Sequence, residues 1–455
     1  MICKKVKKSL AAVLAAAALL VTGGCGQLVG TGGTNAQTDG SSAAQEAAVT
    51  IENAPATAAV EDVPAPDESP ETAGEQSLEN ADEQENQGEK EKKGDKSPDG
   101  LDDIPPKPKR SGTATVHLLC AGDNLIHDNI YTEAWNKGGD HYDFSGMYDE
   151  LIPYLDRADI AILNQETLVN DAFPASTYPV FSTPTEDGDA VVDAGFNVIS
   201  MCNNHVLDKG SAGLISSLDY WDSKPVVHYG AYRDEADSEN IRTMEVNGVI
   251  FAFLGYMEHT NGIFLGDDEP GKVVYLSDTD TIKRQLAKAR KMADVVVVSC
   301  HFGTEVAHPI NEQQATLAPK LCEWGADIII GTQAHCVSEC DYVEADNGRT
   351  AFCYYGLGNL FHTMYDIHSA VGILGDLDVE VDFDNDTVTL SNIKAIPTIS
   401  HFEADYYDSM WYNCKVYPLA TYTDEQFARN FNEGVTRGSV MECLSCISDK
   451  YLSIE

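Results

Sequence analysis

The sequence predicts a layered α/β sandwich with mixed sheets over residues 112–455, carried behind a long segment that lacks the makings of a core. Three observations predict it. From Thr115 onward, short β-branched apolar runs alternate with segments whose apolar residues recur at helical spacing. From about Ala370 this gives way to two longer alternating runs, "AVGILGDLDVEVDF" and "TVTLSNIKAIPTI", joined by "DND", which is a β-hairpin signal. Residues 26–111, by contrast, are Ala, Gln, Ser, Thr, Gly, Pro, Glu and Asp with almost no aromatics.

The N-terminus reads "MICKKVKKSLAAVLAAAALLVTGGCG". Lysines precede the apolar run Leu10–Val21 and small residues follow it, the three regions of an export signal. The run is too short for a comfortable membrane span. Cys25 after Val-Thr-Gly-Gly resembles a bacterial lipobox, although Thr22 stands where a Leu is usual. Residues 1–25 are therefore expected to be a lipoprotein-type signal peptide, with Cys25 acylated and the protein held on the outer face of the cell membrane by its lipid anchor. An ordinary signal peptide with an incidental Cys is the alternative.

Residues 26–111 are expected to form a disordered acidic linker. Between Ser41 and Arg110 there are 18 acidic and 7 basic residues, and such a composition cannot bury enough apolar area to offset its ordering entropy. The net charge of the chain is −43. A surface this acidic repels nucleic acid and anionic headgroups, so neither is expected as a partner.

In the folded part, strands are predicted at 115–121, 159–163, 196–201, 225–229, 249–255, 294–300, 327–331 and 350–355. Helices are predicted at 144–156, 187–195, 211–222, 279–292 and 311–325, with one or two short ones in the last thirty residues. Cys120, Cys300 and Cys353 fall in apolar strand runs and read as small core residues. Cys336/Cys340 and Cys443/Cys446 are close pairs expected on surface segments, where disulfides are conceivable and zinc is a minor alternative, since only Cys443–Cys446 has CxxC spacing.

Several strands end on residues that carry chemistry. "VISMCNNHVLDKG" runs from an apolar strand into Asn204 and His205, with Asp208 three residues on and a helix with Leu214, Ile215, Leu218 and Trp221 on one side following. An Asn carbonyl beside an imidazole is a metal-ligand pair, and a carboxylate orients such a ring. "TVHLLCAGD" ends at Asp123, "DIAILNQE" at Asn164 and Glu166, "ADVVVVSCHFGTE" at His301 and Glu305, "ADIIIGTQAH" at Gln333 and His335, and "TAFCYYGLGN" at Asn359. Parallel strands share a carboxyl edge, so these side chains are expected along one rim, with a metal bound there. A single His after a strand is more often a hydrogen-bonded structural residue; it is the repetition that points to a site.

The ordered series "AGDNL", "NQE", "NNHVLDKG", "HFGTE", "GTQAH" and "YGLGN" resembles the bacterial capsule-synthesis protein CapA family, also called the poly-γ-glutamate biosynthesis family, within the calcineurin-like metallophosphoesterase superfamily. The resemblance spans roughly Thr115 to Phe361. It implies an αββα sandwich and one or two divalent ions (Mn, Zn, Mg or Fe). It implies Asp123 and Glu166 as carboxylate ligands with Glu166 bridging, Asn204 and His301 on a second ion, and His335 on the first. It makes His205 a general acid bonded to Asp208, puts Glu305 behind the ligands, and has Asn359 line the pocket beside Asn164. One position departs from the family: relatives usually read "GxHPH", and here Gln333 replaces the first His, which suits a harder ion than zinc.

Two functions compete on these readings. One is a metal-dependent hydrolase in capsule or poly-γ-glutamate synthesis or export, acting on a phosphoester or on a bond of a cell-surface polymer. The other is a non-catalytic, polymer-binding or assembly component of a membrane capsule-export complex. A purely structural surface domain would need many strand ends to carry ligand-type residues by chance.

Overall fold

The computed structural model describes Leu101 and residues 104–405, 410–432 and 434–454. The expected signal peptide with Cys25, and nearly all of the expected linker, lie outside the described residues. Within the end of that linker, Lys107 and Arg110 both pair with Asp294, Lys107 at 3.0 Å and Arg110 through two bonds of 2.6 and 2.8 Å. The contacts of the folded part thus begin slightly before the boundary that composition suggests. Among the described residues no helix is long and apolar enough to cross a membrane.

Two mixed sheets make the centre. In the first, β1 (Thr113–Asn124), β2 (Ile160–Asn164), β3 (Val198–Ser200) and β4 (Val227–Tyr229) run parallel. Beyond β4 in the chain come β5 (Ala231–Tyr232), β6 (Arg242–Val246), β7 (Val249–Met257), β8 (Lys272–Val273), β9 (Val295–Phe302), β10 (Ile328–Gln333), β11 (Cys340–Glu344), β12 (Thr350–Tyr354) and β13 (Asn359–Phe361). The chain then forms β14 (Val371–Asp382), β15 (Thr387–Asp405) and β16 (Met410–Pro418), an antiparallel meander that joins the first sheet alongside β1. The first sheet therefore reads β16-β15-β14-β1-β2-β3-β4, with β13 pairing β1 off that path. The second sheet reads β11-β12-β10-β9-β7-β6, with β7, β9, β10 and β12 parallel and β6 and β11 antiparallel at its edges.

Strand alternation sorts the core into three layers. Val116, Leu118 and Cys120 of β1 pack with Phe251, Phe253, Val295, Val297, Ile328 and Ile330 of the other sheet, filling the space between sheets. The intervening Leu119 and Ala121 face a layer with Ile130, Leu155, Val191, Leu214, Leu218 and Trp221 from the helices over the first sheet. Ala252, Leu254, Val296, Val298 and Cys300 meet Ile282, Leu286, Leu317 and Leu321 of the helices Thr279–Met292 and Glu312–Trp324 over the second. Helix, sheet, sheet, helix is the αββα order that the resemblance implies.

Most elements fall where the pattern put them, and the exceptions have local causes. The helix expected at 144–156 is cut to the 3₁₀ turn Asp149–Leu151 and the helical turn Ile152–Leu155, because Gly146 takes φ +83 and breaks the run. The helices Asp128–Gly138 and Glu235–Ser238 and the strands β5, β6, β8, β11, β13 and β16 are additions to the expected set. The two cysteine pairs are not surface features: Cys336, Cys340 and Cys443 are buried, Cys446 is half-buried, and all ten cysteines of the described residues are free.

Candidate metal centre

Every ligand-type strand end of the sequence arrives at the same edge of the sandwich. Asp123 closes β1 at a bulge, where the register shifts between Ala121 and Asp123 against β2. Gly122 makes the bulge possible: a Cβ there would lie 1.8 Å from the Gly358 carbonyl oxygen, so only glycine fits. The bulge places Asp123 beside Asn164 on β2 and Asn359 on β13.

Asp123, Glu166 and His335 offer ligand atoms that all lie within 4.8 Å of one another. Asp123 Oδ1 accepts from Asn164 Nδ2 at 2.7 Å, and Oδ2 accepts from the Gln333 backbone N–H at 3.3 Å. His335 Nδ1 faces Asn359 Oδ1 at 3.0 Å and Asp123 Oδ2 at 3.3 Å, while Nε2 lies 3.8 Å from Glu166 Oε1. Asn359 is thus the orienting group of His335, and a ring that donates through Nδ1 presents Nε2 as a ligand.

Glu166 is fully buried and both of its oxygens lack a hydrogen-bond partner among the described residues. An unsatisfied buried acceptor costs about 1–3 kcal/mol, and more when charged. Burial and the neighbouring Asp123 carboxylate push the Glu166 carboxyl well above its ordinary range. Two buried carboxylates side by side, one with no donor to satisfy it, form a donor set that fits a divalent cation. Asn164 Oδ1 and Gln333 Oε1 are buried acceptors without a partner at the same edge, which strengthens the fit.

The second half of the site comes from β3 and β9. His301 Nε2 lies 3.0 Å from Asn204 Oδ1 and 3.7 Å from Glu166 Oε1, and its Nδ1 meets Thr332 Oγ1 at 2.8 Å. Burial holds the His301 imidazole neutral, its pKa pushed down to about 3, which is the form that ligates. His335 goes the other way: burial disfavours its charge, but the Glu166 and Asp123 carboxylates outweigh that and raise it to about 10.

His205 is held apart from this ligand set. Its Nδ1 meets Asp208 Oδ2 at 2.8 Å, and that oxygen also accepts from the Phe181 backbone N–H at 2.6 Å. The Phe181 ring packs edge-on at 4.8 Å. With Nδ1 committed to Asp208, Nε2 is the atom left to move a proton. Gln333 takes φ +92, and its Nε2 donates to Glu305 Oε1 at 3.1 Å, so Glu305 positions the amide.

The structure adds residues that no motif announced. Thr332 fixes His301. Asn261 approaches both Asn204 and His205 at 3.4 Å. His362 is buried and His127 half-buried near the rim, and desolvation holds both neutral, His127 down to about 4. The polar residue at the strand end of "IIIGTQ" is the one signal that could have found Thr332. Asn261 comes from an irregular loop and carries none.

A family model described as bacterial capsule synthesis protein PGA_cap matches residues 117–364. The chain is 30% identical over 252 residues to the capsule biosynthesis protein CapA of Bacillus anthracis, covering 53% of this chain and 58% of that protein. It is 32% identical over 179 residues to the PGA biosynthesis protein CapA of Bacillus subtilis strain 168, covering 39% of this chain and 45% of that one. The matched segments thus span only about half the length of these curated relatives. Among solved structures, a phosphatase from Mycoplasma pneumoniae aligns at a TM-score of 0.40 and 14% identity, over 63% of this chain and 94% of that chain. A 5'-nucleotidase from Staphylococcus aureus, so described provisionally, aligns at 0.39 and 14%, over 65% and 57%.

Proposed function

The chain belongs to the bacterial capsule synthesis protein family PGA_cap, and from that premise we propose that it is a metal-dependent hydrolase working at the outer face of the cell membrane in the synthesis or export of a capsule polymer such as poly-γ-glutamate. The observation that carries this reading is Glu166, a fully buried carboxyl with no hydrogen-bond partner for either oxygen among the described residues, within ligand distance of Asp123 and His335. Asp123, Glu166 and His335 would hold one divalent ion, and Asn204, His301 and the Gln333 amide oxygen offer donors for a second. Such ions, when bound, lower the pKa of a coordinated water and neutralise anionic oxygens of a substrate. The substrate class is a phosphoester or a bond of the surface polymer itself.

The chain's own residues do the rest. Asn359 and Thr332 fix the rings of His335 and His301. Asp208 holds His205 so that Nε2 delivers a proton to the departing oxygen. A second reading, a non-catalytic polymer-binding component of an export complex, draws on Gln333: its amide is tied to Glu305 at a place where relatives usually carry an imidazole.

Purified protein supplied with Mn²⁺ and a generic phosphodiester separates the two. The hydrolase reading expects turnover, lost together with bound metal in Asp123→Ala. His205→Ala should keep the metal and lose about 10²–10⁴-fold in rate. Polymer retained without turnover by metal-loaded protein would decide for the assembly role. The lipid anchor has its own test: Cys25→Ala should release the protein from membranes, and equal retention of the variant would point to an uncleaved signal anchor.

A further inference from the structure

A second group of metal-type side chains shares no residue with the rim. His308, His368 and Cys443 bring their ligand atoms within 4.8 Å of one another. His308 comes from the loop after β9, His368 from the loop between β13 and β14, and Cys443 from the end of the helix Arg437–Cys443. Three segments far apart in sequence therefore meet at one point.

We propose that His308, His368 and Cys443 form a structural zinc site that ties the C-terminal helix to the loops behind the candidate active site. The spacing is close to what zinc needs. A tetrahedral ion with bonds of about 2.0–2.1 Å to nitrogen and about 2.3 Å to sulfur separates its ligands by roughly 3.3 Å (N to N) and 3.5 Å (N to S). Here His308 Nε2 and His368 Nδ1 are 2.8 Å apart, and Cys443 Sγ is 3.8 Å from His368 Nδ1. The first distance opens and the second closes by a few tenths of an ångström.

The tautomer of His308 is already set. Its Nδ1 lies 2.6 Å from the Val337 carbonyl oxygen, which can only accept, so Nδ1 carries the proton and Nε2 presents its lone pair to the group. A backbone carbonyl behind the ligating ring is the usual way a protein orients a zinc histidine. The rings of His308 and His368 meet at 71° with centroids 5.0 Å apart, so both nitrogens converge edge-on instead of stacking. His368 is placed by its loop, where its backbone N–H donates to Asp366 Oδ1 at 2.8 Å. Cys446, in CxxC spacing with Cys443, has its Sγ 3.5 Å from the same Val337 carbonyl, so a second thiol flanks the three ligand side chains.

Two imidazoles and a thiolate select a borderline-soft ion, and two carboxylates with amide oxygens select a harder one. The two sites should therefore fill with different ions. Val337 lies two residues after His335 and Cys443 closes the helix Arg437–Cys443, so the ion would brace the loop that carries a rim ligand.

Cobalt(II) tests this on the full, reduced chain. Cobalt bound to a thiolate gives a sulfur-to-metal charge-transfer absorption, which the rim, having no thiol among its ligands, cannot produce. The expected result is a band saturating at one equivalent, abolished by added zinc and by Cys443→Ser, and unchanged in Asp123→Ala. His308→Ala and His368→Ala should each weaken cobalt binding at least about tenfold. His368 is a half-buried loop residue, so if Cys443→Ser does not fold, the His368→Ala titration carries the test. Absence of the band in wild type, a band undiminished in folded Cys443→Ser, or unaltered cobalt affinity in His368→Ala would overturn the proposal.

Discussion

Gln333 and Val306 show how much of the site is set by the backbone of single residues. Gln333 ends β10 at φ +92 with its N–H on Asp123 and its amide oxygen unpartnered at the rim. Replacing it with His puts an imidazole, which binds first-row metals more tightly than an amide, at a position already aimed along the rim. Gln333→His should raise Mn²⁺ or Zn²⁺ affinity at least about tenfold by calorimetric titration; unchanged affinity and stoichiometry would remove position 333 from the site. Val306 holds φ +55, a left-handed conformation that costs a residue of its shape roughly 1–2 kcal/mol, and it is exposed, so its side chain contributes little packing. Val306→Asn should therefore stabilise the protein by about 0.5–1 kcal/mol in urea unfolding, and a loss of stability would show that the Val side chain does more than the backbone argument allows. At this scale the sequence was legible wherever a ligand ends a strand. Asp123, Glu166, Asn204, His301 and His335 could be read because an apolar run stops at each. Asn261 and His127 could not, because loops bring them in by paths that no periodicity encodes.

Among the elements, β1 connects the site to the stability of the sheet. At its near end His117 stands opposite Asp378 on β14, with Nε2 3.2 Å from Asp376 and Nδ1 2.7 Å from Asp378. The hydrogen bond to Asp376, with that to Asp378, outweighs burial and raises the His117 pKa from 6.5 to about 9. The folded state therefore holds this proton more tightly than the unfolded chain. The stabilisation is complete below pH 6.5 and is lost as pH rises through about 9. Allowing for solvent screening of this partly exposed pair, about 1–2 kcal/mol is at stake. Urea unfolding at pH 6 and pH 9.5 should show wild type losing that increment relative to His117→Gln; parallel curves for the two proteins would show that the pair is not coupled to folding. The strand pattern is plainest where both faces are buried, as in β9 with all eight residues buried, where the apolar run is continuous. Among the added strands, the edges share a cause: β6 alternates half-buried and exposed residues, and β11 buries only Cys340 and Val343 of its five. Their sequences are polar enough to pass for loops, as edge strands commonly are. The helix Asp128–Gly138 escaped notice because it buries only Ile130 and Ala134 and starts without a side-chain cap.

For the molecule as a whole, the site matters because it belongs to both sheets. Asp123, Glu166 and Asn204 belong to or follow strands of the first sheet, while His301, Gln333 and His335 belong to or follow strands of the second. Apolar packing, which has no directional preference, fills most of the space between the sheets; polar contacts at the rim, with a few inside such as Tyr229 Oη to Ser299 Oγ at 2.6 Å, fix one sheet against the other. An ion held by donors from both sheets must be released before they part, and its binding free energy adds to the stability of the fold. At a hundred times its dissociation constant that increment is about 2.7 kcal/mol, worth several degrees of melting temperature in a domain of this size. Mn²⁺ is the ion to use, because hard carboxylate and amide donors accept it and the His308–His368–Cys443 group favours softer metals. Saturating Mn²⁺ should raise the melting temperature of wild type and of Cys443→Ser by similar amounts. Asp123→Ala, which removes a donor from the first sheet, and His301→Ala, which removes one from the second, should each lose the increment. If either variant keeps the full Mn²⁺ response, the ion is not shared between the sheets, and the site stabilises only the side that still binds it.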